Sequence, residues 1–194
     1  YPRWCNICNF IMSKIETNTI DTLSGTTNLT IGSTNASTVT FENGAVTGHM
    51  YPAFFAHLSA QQTVTSATFT KLQCDTEIID VGGYYDNSTN YRYTPLVAGK
   101  YFVFGAIHLD ATAGNYIDGQ VEVRKNGTKL KYVAGRAADT VNRATEFTVQ
   151  VSGVVDMNGT TDYLELWGYL NVNSGGADFE DDYGTNFGAY RLGA

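Results

Sequence analysis

Four carboxylates fall within five positions near the end of the chain, where they could act together as oxygen ligands. They are Asp178, Glu180, Asp181 and Asp182. Calcium prefers such hard oxygen ligands and takes about six to eight of them. The spacing does not match an EF-hand loop, so two interpretations stay open: a calcium site, or a solvated acidic loop without an ion. No other cofactor is expected.

A second group of candidate binding residues mixes tyrosine rings with side-chain amides beside the glycine pair at positions 82 and 83. Its members are Tyr84, Tyr85, Asn87, Asn90 and Tyr91. Tyrosine rings can stack on the apolar face of a sugar while amides hydrogen-bond to its hydroxyls, so this loop is a candidate ligand-binding site. The alternative is structural: Tyr85 and Tyr93 fill the core, and the amides only turn the chain.

Histidines and cysteines are too scattered to predict an enzyme active site. His49, His57 and His108 belong to no nucleophile elbow, paired-histidine motif or run of metal ligands. Cys5 and Cys8 have the spacing of half a zinc knuckle, but no second pair of ligands follows, so an incidental pair in a leader explains them better. The prediction is a protein without enzymatic activity, with a triad assembled only in the folded chain left open.

The net charge and the lengths of the apolar runs argue against two classes of partner, nucleic acids and membranes. The 194 residues carry 12 basic and 19 acidic side chains, which gives a net charge of −7. Nucleic acid is a poor candidate partner, because a phosphate backbone attracts a surplus of lysine and arginine. No apolar run approaches the roughly 18 residues that span a bilayer, so membrane insertion is not expected either.

Short strand patterns follow one another through residues 53–194, the predicted head domain. Lys100–Leu109 is apolar on both faces, which predicts a central strand of a packed sandwich. Asn126 and Gly127 separate two such patterns and favour a hairpin, because both residues tolerate the positive φ angles of a type I′ turn. Eight or more short strands without an amphipathic helix predict an all-β fold, a jelly-roll β-sandwich.

Residues 12–52 have a different composition, dominated by threonine, serine, asparagine and glycine. Asn28–Gly32 and Thr38–Glu42 alternate between apolar and polar residues, which is typical of strands with one buried face. Each run supplies only two apolar side chains, too few for a core, so identical chains would have to wrap around a shared axis. We interpret this segment as a thin N-terminal β stalk, with a flexible linker as the alternative. Residues 1–11 are an unassigned leader.

Three local patterns in the predicted head resemble the globular domain of the complement component 1q/tumour necrosis factor family. The first is Tyr85–Thr89 followed by Tyr93–Phe102, the second is the hairpin run Val121–Gly127, and the third is the closing run Asn186–Leu192. The resemblance implies a jelly-roll head. It also implies a homotrimer, because members of the family that trimerise pack one sheet around the three-fold axis.

Strand patterns and the resemblance together assign structural roles, in the core or the trimer interface, to eleven residues. Pro95 fixes a strand entry and Gly99 permits a tight bend, whereas the aromatic members supply apolar burial. The set is Phe69, Tyr93, Pro95, Gly99, Tyr101, Phe102, Phe104, Asn126, Gly127, Phe187 and Gly188.

The front segment carries a second resemblance. Met12–Asp21 followed by Leu29–Gly32 is similar to the start of short fibre proteins of marine tailed bacteriophages. This resemblance implies a virion fibre or tail-tip subunit, extracellular on release. Its head would attach to a host-surface receptor or glycan, and its stalk would meet other virion proteins. The alternatives are a secreted cellular ligand-binding head of the same fold and a glycan hydrolase or depolymerase.

Overall fold

A computed structural model describes residues 52–139, 144–181 and 184–193. The described residues form strands and turns, and none of them belongs to a helix that could cross a membrane. The leader and, apart from Pro52, the whole predicted stalk lie outside them, so the stalk and its boundary with the head stay predictions. The same holds for Cys5, Cys8 and His49.

Thirteen strands follow one another within these ranges. They are β1 (Ala53–His57), β2 (Gln62–Val64), β3 (Thr70–Lys71), β4 (Thr76–Val81), β5 (Tyr85–Asp86), β6 (Arg92–Tyr93), β7 (Gly99–Asp110), β8 (Tyr116–Lys125), β9 (Thr128–Ala138), β10 (Glu146–Met157), β11 (Leu164–Val172), β12 (Ala177–Glu180) and β13 (Asn186–Gly193). The first sheet contains β1, β2, β4, β7, β10, β12 and β13, and the second contains the other six strands.

Strand β7 is the centre of the first sheet, as its sequence predicts. It pairs along its whole length with β10 on one edge, and with β13 and β12 in succession on the other. All these pairings are antiparallel, so side chains that lie opposite each other point to the same face of the sheet. β13 continues the sheet to β1 and then to β4.

Alternation along β7 assigns its side chains to two faces. Tyr101, Val103 and Ile107 are fully buried between the sheets. Phe102 and Phe104 point the other way and are only half-buried. The strand is apolar on both faces, but only its inner face meets the second sheet.

Phe54 on β1 lies at the centre of the aromatic core. Its ring stacks on Tyr85 and Tyr93, with ring centroids 4.6 and 4.3 Å away, and it meets the ring of Phe187 edge-on at 5.0 Å. All four side chains are buried. The Tyr85 hydroxyl donates a hydrogen bond to the carbonyl of Cys74, which satisfies its polar end.

The predicted hairpin turn connects β8 and β9. Asn126 and Gly127 have φ angles of 52° and 76°, the positive values that a type I′ turn requires. The Asn126 amide donates to Asp162 and its carbonyl oxygen accepts from the backbone of Tyr163. These contacts join the turn to the start of β11.

Several predicted structural residues have the expected surroundings. Tyr93, Tyr101 and Phe187 are buried in the core, and Pro95 is buried ahead of β7. Gly99 adopts a φ of 144°, and a Cβ atom there would lie 2.2 Å from the carbonyl oxygen of Gly193. That bend therefore requires glycine.

Phe69 is a correction, because it does not belong to the core between the sheets. It is half-buried just before β3, and its ring lies 5.1 Å from that of Tyr169. Strand β3 contains only Thr70 and Lys71 and pairs with only two residues of β11. Such a short strand leaves its flanking side chains at the surface of the second sheet.

Replacing Phe54 with alanine tests the aromatic core. The substitution removes three ring contacts from a site that cannot refill, so we expect a loss of about 3–5 kcal/mol in the free energy of unfolding. Urea titration at one fixed protein concentration measures this loss. Tyr132→Ala is the control, because that side chain is 66% exposed on β9 and its loss should change stability by less than about 0.5 kcal/mol. Equal effects of the two substitutions would contradict this core.

Candidate functional site

The loop between β4 and β5 positions Tyr84 at the surface. Gly82 and Gly83 turn the chain with φ angles of 104° and 68°. The Asp80 carboxylate then accepts hydrogen bonds from the backbone nitrogens of Tyr84 and Tyr85, at 3.0 and 3.2 Å. This cap fixes the backbone on which Tyr84 is carried.

Asp86 organises the next turn. Its carboxylate accepts hydrogen bonds from the backbone nitrogens of Ser88 and Thr89 and from the side-chain amide of Asn90, at 3.2, 2.8 and 2.7 Å. The bonds from Thr89 and Asn90 hold the pKa of the Asp86 carboxyl well below its usual range, so the carboxylate stays ionised at neutral pH.

The structure separates the five residues that the sequence groups as a ligand site. Tyr85 is 6% exposed, so its assignment to an exposed binding cluster is wrong, and the alternative in which it fills the core is confirmed. The amide of Asn87 donates to the carbonyl of Asp75, and that of Asn90 donates to Asp86. Both amides therefore turn the chain, whereas Tyr84 and Tyr91 remain half-buried at the surface.

A cavity of about 340 Å³ opens beside Tyr84. Besides Tyr84, it is lined by Gly83, Tyr85, Asp86, Arg92, Thr94 and Leu96. Asp86, Arg92 and Thr94 were not predicted as site residues, because a two-residue strand such as β6 is too short to show which side chains share a face. The sequence therefore carries no periodic signal for this part of the site.

Arg92 supplies the cationic side of this cavity. It lies opposite Asp86 in the pairing of β5 with β6. Its guanidinium stacks on the ring of Tyr163, with the guanidinium carbon 4.6 Å from the ring centroid. Stacking occupies a face of the guanidinium and leaves its in-plane N–H donors for hydrogen bonding.

The acidic segment is not one loop. Asp178 and Glu180 belong to strand β12, Asp181 follows it at the surface, and Asp182 lies outside the described residues. The buried Asp178 accepts a hydrogen bond from the Thr112 hydroxyl at 2.6 Å, and Glu180 accepts one from the Gln61 amide at 2.7 Å. Among the described residues, no group of three or more acidic, histidine or cysteine side chains is arranged to hold a metal ion.

His108 lies in a hydrogen-bonded group that the sequence could not reveal. Its Nδ1 is 2.9 Å from the Thr148 hydroxyl, and its Nε2 is 3.2 Å from a carboxylate oxygen of Glu146. Hydroxyl, imidazole and carboxylate are the parts of a catalytic triad. Here Thr148 lies directly opposite His108 in the ladder of β10 with β7, so the group links two neighbouring strands of the first sheet.

An aromatic ladder covers the outer face of the first sheet. Phe55 on β1, Phe104 and Phe102 on β7, and Tyr190 on β13 lie in ring contact, with successive centroids 6.0, 6.1 and 5.5 Å apart. Gly188 lies between the strands of Phe55 and Phe104, and a Cβ atom there would be 2.5 Å from the Phe104 ring. The absence of a side chain at position 188 therefore lets this ring lie flat on the sheet.

The ladder continues into exposed aliphatic side chains. Ile79 on β4 and Val154 on β10 are 48% and 46% exposed and pair with Phe55 and Phe102 respectively. Towards the other end of the face, a cavity of about 460 Å³ reaches from Phe55 and Phe104 to polar side chains such as Gln150. The outer face thus changes from apolar at one end to polar at the other.

The second sheet has a very different outer face. Glu122 is only 1% exposed and forms ion pairs with Arg124 and Lys129, at 2.7 and 2.6 Å. The Arg124 guanidinium also lies 4.0 Å from the centre of a Trp167 ring. Because these charges and rings satisfy one another, the face is closed by its own side chains.

Comparisons with known proteins bear on the fold. No protein-family model matches the sequence, and no curated protein matches it. Murine APRIL is 11% identical, with a TM-score of 0.52, over 72% of this chain and 98% of its own. Eiger TNF from S. frugiperda is 10% identical, with a TM-score of 0.54, over 75% of this chain and 95% of its own. The chain therefore has a TNF-like jelly-roll fold, which confirms the fold class expected from the sequence.

Replacing Asp86 with asparagine tests the turn beside the cavity. The lowered pKa of Asp86 means that its ionised form stabilises the fold, a contribution present above the unfolded-state pKa of about 3.9 and lost as the pH falls through the folded-state pKa. We expect D86N to be less stable than the wild type at pH 7 and this difference to shrink at pH 3. Urea unfolding at both pH values measures the difference, and a gap that widens at pH 3 would contradict the assignment.

Proposed function

We propose that this chain is a non-enzymatic virion fibre or tail-tip subunit, whose jelly-roll head forms a homotrimer and attaches to a host-surface ligand. The observation that supports the trimer is the aromatic ladder on the outer face of the first sheet, whereas the fibre role rests on the sequence resemblance. The trimer would display its heads at the end of the predicted stalk. The stalk would contact other virion proteins.

The ladder supports assembly because it is costly to leave in water. Burial of apolar surface contributes roughly 25 cal/mol per Å², and contiguous exposed apolar patches usually mark an interaction site. The rings of Phe55, Phe102, Phe104 and Tyr190 form such a patch, extended by Ile79 and Val154.

A second copy of the chain is the occupant we favour. The family resemblance implies packing of one sheet around a three-fold axis, and a closed ring of three copies would cover this face in every subunit. The ladder lies on the sheet that contains β7, and the resemblance implies that one face of this strand meets its copies. The closed, charged face of the second sheet would then remain on the outside.

The fibre role and the host-surface ligand rest on the sequence resemblance of Met12–Asp21 and Leu29–Gly32 to phage fibre proteins. A secreted ligand-binding head is the alternative that the fold supports equally, because both similar structures are TNF-like. The genes that neighbour the coding sequence separate these two: virion genes favour the fibre, and their absence favours the secreted head.

A glycan hydrolase is less well supported. Thr148, His108 and Glu146 form a hydroxyl–imidazole–carboxylate group across β10 and β7, but His108 is only 5% exposed, which limits the access of its imidazole to a polymer. Incubation of purified protein with host-surface polysaccharide tests this alternative, since a hydrolase would shorten the polymer.

The mass of the chain in solution tests the proposed trimer. Light scattering of the full chain should give three times the chain mass of 21.1 kDa. Phe104→Glu should dissociate it, because three carboxylates would be brought into the apolar centre of the interface without partners. A trimer that survives F104E would show that other residues hold it together, and a monomeric wild type would remove the proposal.

Tyr132→Glu is the matched control. Tyr132 is a larger exposed aromatic residue, but it lies on β9 of the second sheet and not on the ladder. The control should keep the mass of the wild type. Thermal unfolding of each variant, followed by far-ultraviolet circular dichroism, distinguishes dissociation of folded chains from loss of the fold.

A further inference from the structure

We propose that the cavity beside Tyr84 binds a neutral hexopyranose unit of a saccharide. This inference rests on the proposed attachment function and names its ligand class and site. The cavity of about 340 Å³ lies within the roughly 300–1,000 Å³ typical of small-molecule sites. It combines an aromatic ring, a carboxylate and a guanidinium within one lining.

Tyr84 supplies a fixed platform for the apolar face of a sugar ring. A Cβ atom on Gly82 would lie 2.5 Å from Cε2 of Tyr84, so the tyrosine ring rests directly on the glycine backbone. With that side supported, the ring can present another surface to the cavity that it lines. Leu96, 55% exposed, extends the apolar rim.

Asp86 and Arg92 supply the complementary hydrogen-bonding groups. The Asp86 carboxylate is ionised, and its Oδ1 is occupied by hydrogen bonds from Ser88 and Thr89, whereas its Oδ2 accepts from the Asn90 amide and keeps room for a second donor. No hydrogen bond or ion pair of the Arg92 guanidinium occurs with any residue that the structure describes, and its stack on Tyr163 holds it in place. Two adjacent sugar hydroxyls can donate to the carboxylate and accept from the guanidinium.

Charge favours a neutral sugar over an acidic one. Asp86 and Arg92 lie opposite each other on β5 and β6, so an incoming ligand meets one negative and one positive group together. The chain as a whole carries a net charge of −7, which repels carboxylated and phosphorylated ligands. Hydroxyl groups that both donate and accept fit this pair better than an anion, which can only accept.

The site is also preorganised. Asp80 caps the Tyr84 backbone, the turn around Asp86 is closed by its own hydrogen bonds, and Arg92 is held by stacking. A ligand would therefore order few side chains on binding, which removes much of the usual entropic cost.

Saturation-transfer NMR on the full chain tests the site, with the methyl glycosides of glucose, galactose and mannose as probes and methyl glucuronoside as the acidic comparison. We expect saturation transfer to at least one neutral glycoside at millimolar concentration, and weaker binding of the glucuronoside. No transfer to any neutral glycoside, or tighter binding of the glucuronoside, would overturn the proposal.

Two variants test whether the glycoside binds at the cavity beside Tyr84. Tyr84→Ala removes the platform and Arg92→Gln removes the charged donor while keeping an amide, and each should weaken the affinity at least about tenfold. Tyr132→Ala, an exposed tyrosine on β9, should leave affinity unchanged. Unchanged binding in both folded site variants, or an equal loss in the control, would overturn the site. Light scattering on the same samples tests the trimer separately. A monomer that binds a hexose would contradict the proposed trimer and leave the proposed sugar site standing.

Discussion

Strand β7 is hydrogen-bonded along both edges for nearly its whole length, and its register decides the side on which neighbouring side chains lie. With β10 on one edge and β13 and β12 on the other, a shift of a single residue would exchange the inner and outer faces of the first sheet. Tyr101 and Val103 would leave the core, and Phe102 and Phe104 would enter it. The aromatic core around Phe54 and the outer ladder therefore depend on one alignment.

The two outer faces show how the same architecture can serve opposite purposes. On the first sheet, the rings between Phe55 and Tyr190 satisfy one another only in part and remain available to a partner. On the second sheet, Arg124 is committed both to Glu122 and to Trp167. A partner there would have to break internal contacts before it could form its own, whereas on the first sheet it would displace only water.

Local patterns predicted the parts of the fold that local chemistry controls. Asn126 and Gly127 form their turn because of their own φ preferences, and β7 is long enough for its continuous apolar run to indicate a central strand. Neighbouring Phe54 and Phe55, in contrast, are chemically identical, and only the pairing of β1 with β13 and β4 places one inside and one outside. The assignment of Asp178 to an acidic loop was wrong for a similar reason, because carboxylates are typical of loops. Only the fold shows that Asp178 accepts a hydrogen bond from Thr112.

The candidate site was found only in part, because its residues come together through short strands. Tyr84 was predicted from its type, but Asp86 and Arg92 face each other through a pairing of two residues per strand, which has no periodicity to detect. Tyr85 was misassigned since an aromatic residue beside a turn is equally consistent with either side of the sheet. Tyr84 and Tyr85 are the same type of residue, and only their positions in the fold place Tyr84 at the cavity and Tyr85 in the core.

The burial of Glu122 beneath Arg124 and Lys129 has an evolutionary consequence. Loss of either cation alone would leave the buried Glu122 carboxylate with one ion pair instead of two, whereas replacement of all three residues by apolar ones would remove the buried charge altogether. Descendants of this chain should therefore exchange these three positions as a block. The phenylalanines of the first sheet balance no charge, so each can be replaced on its own by a residue of similar size.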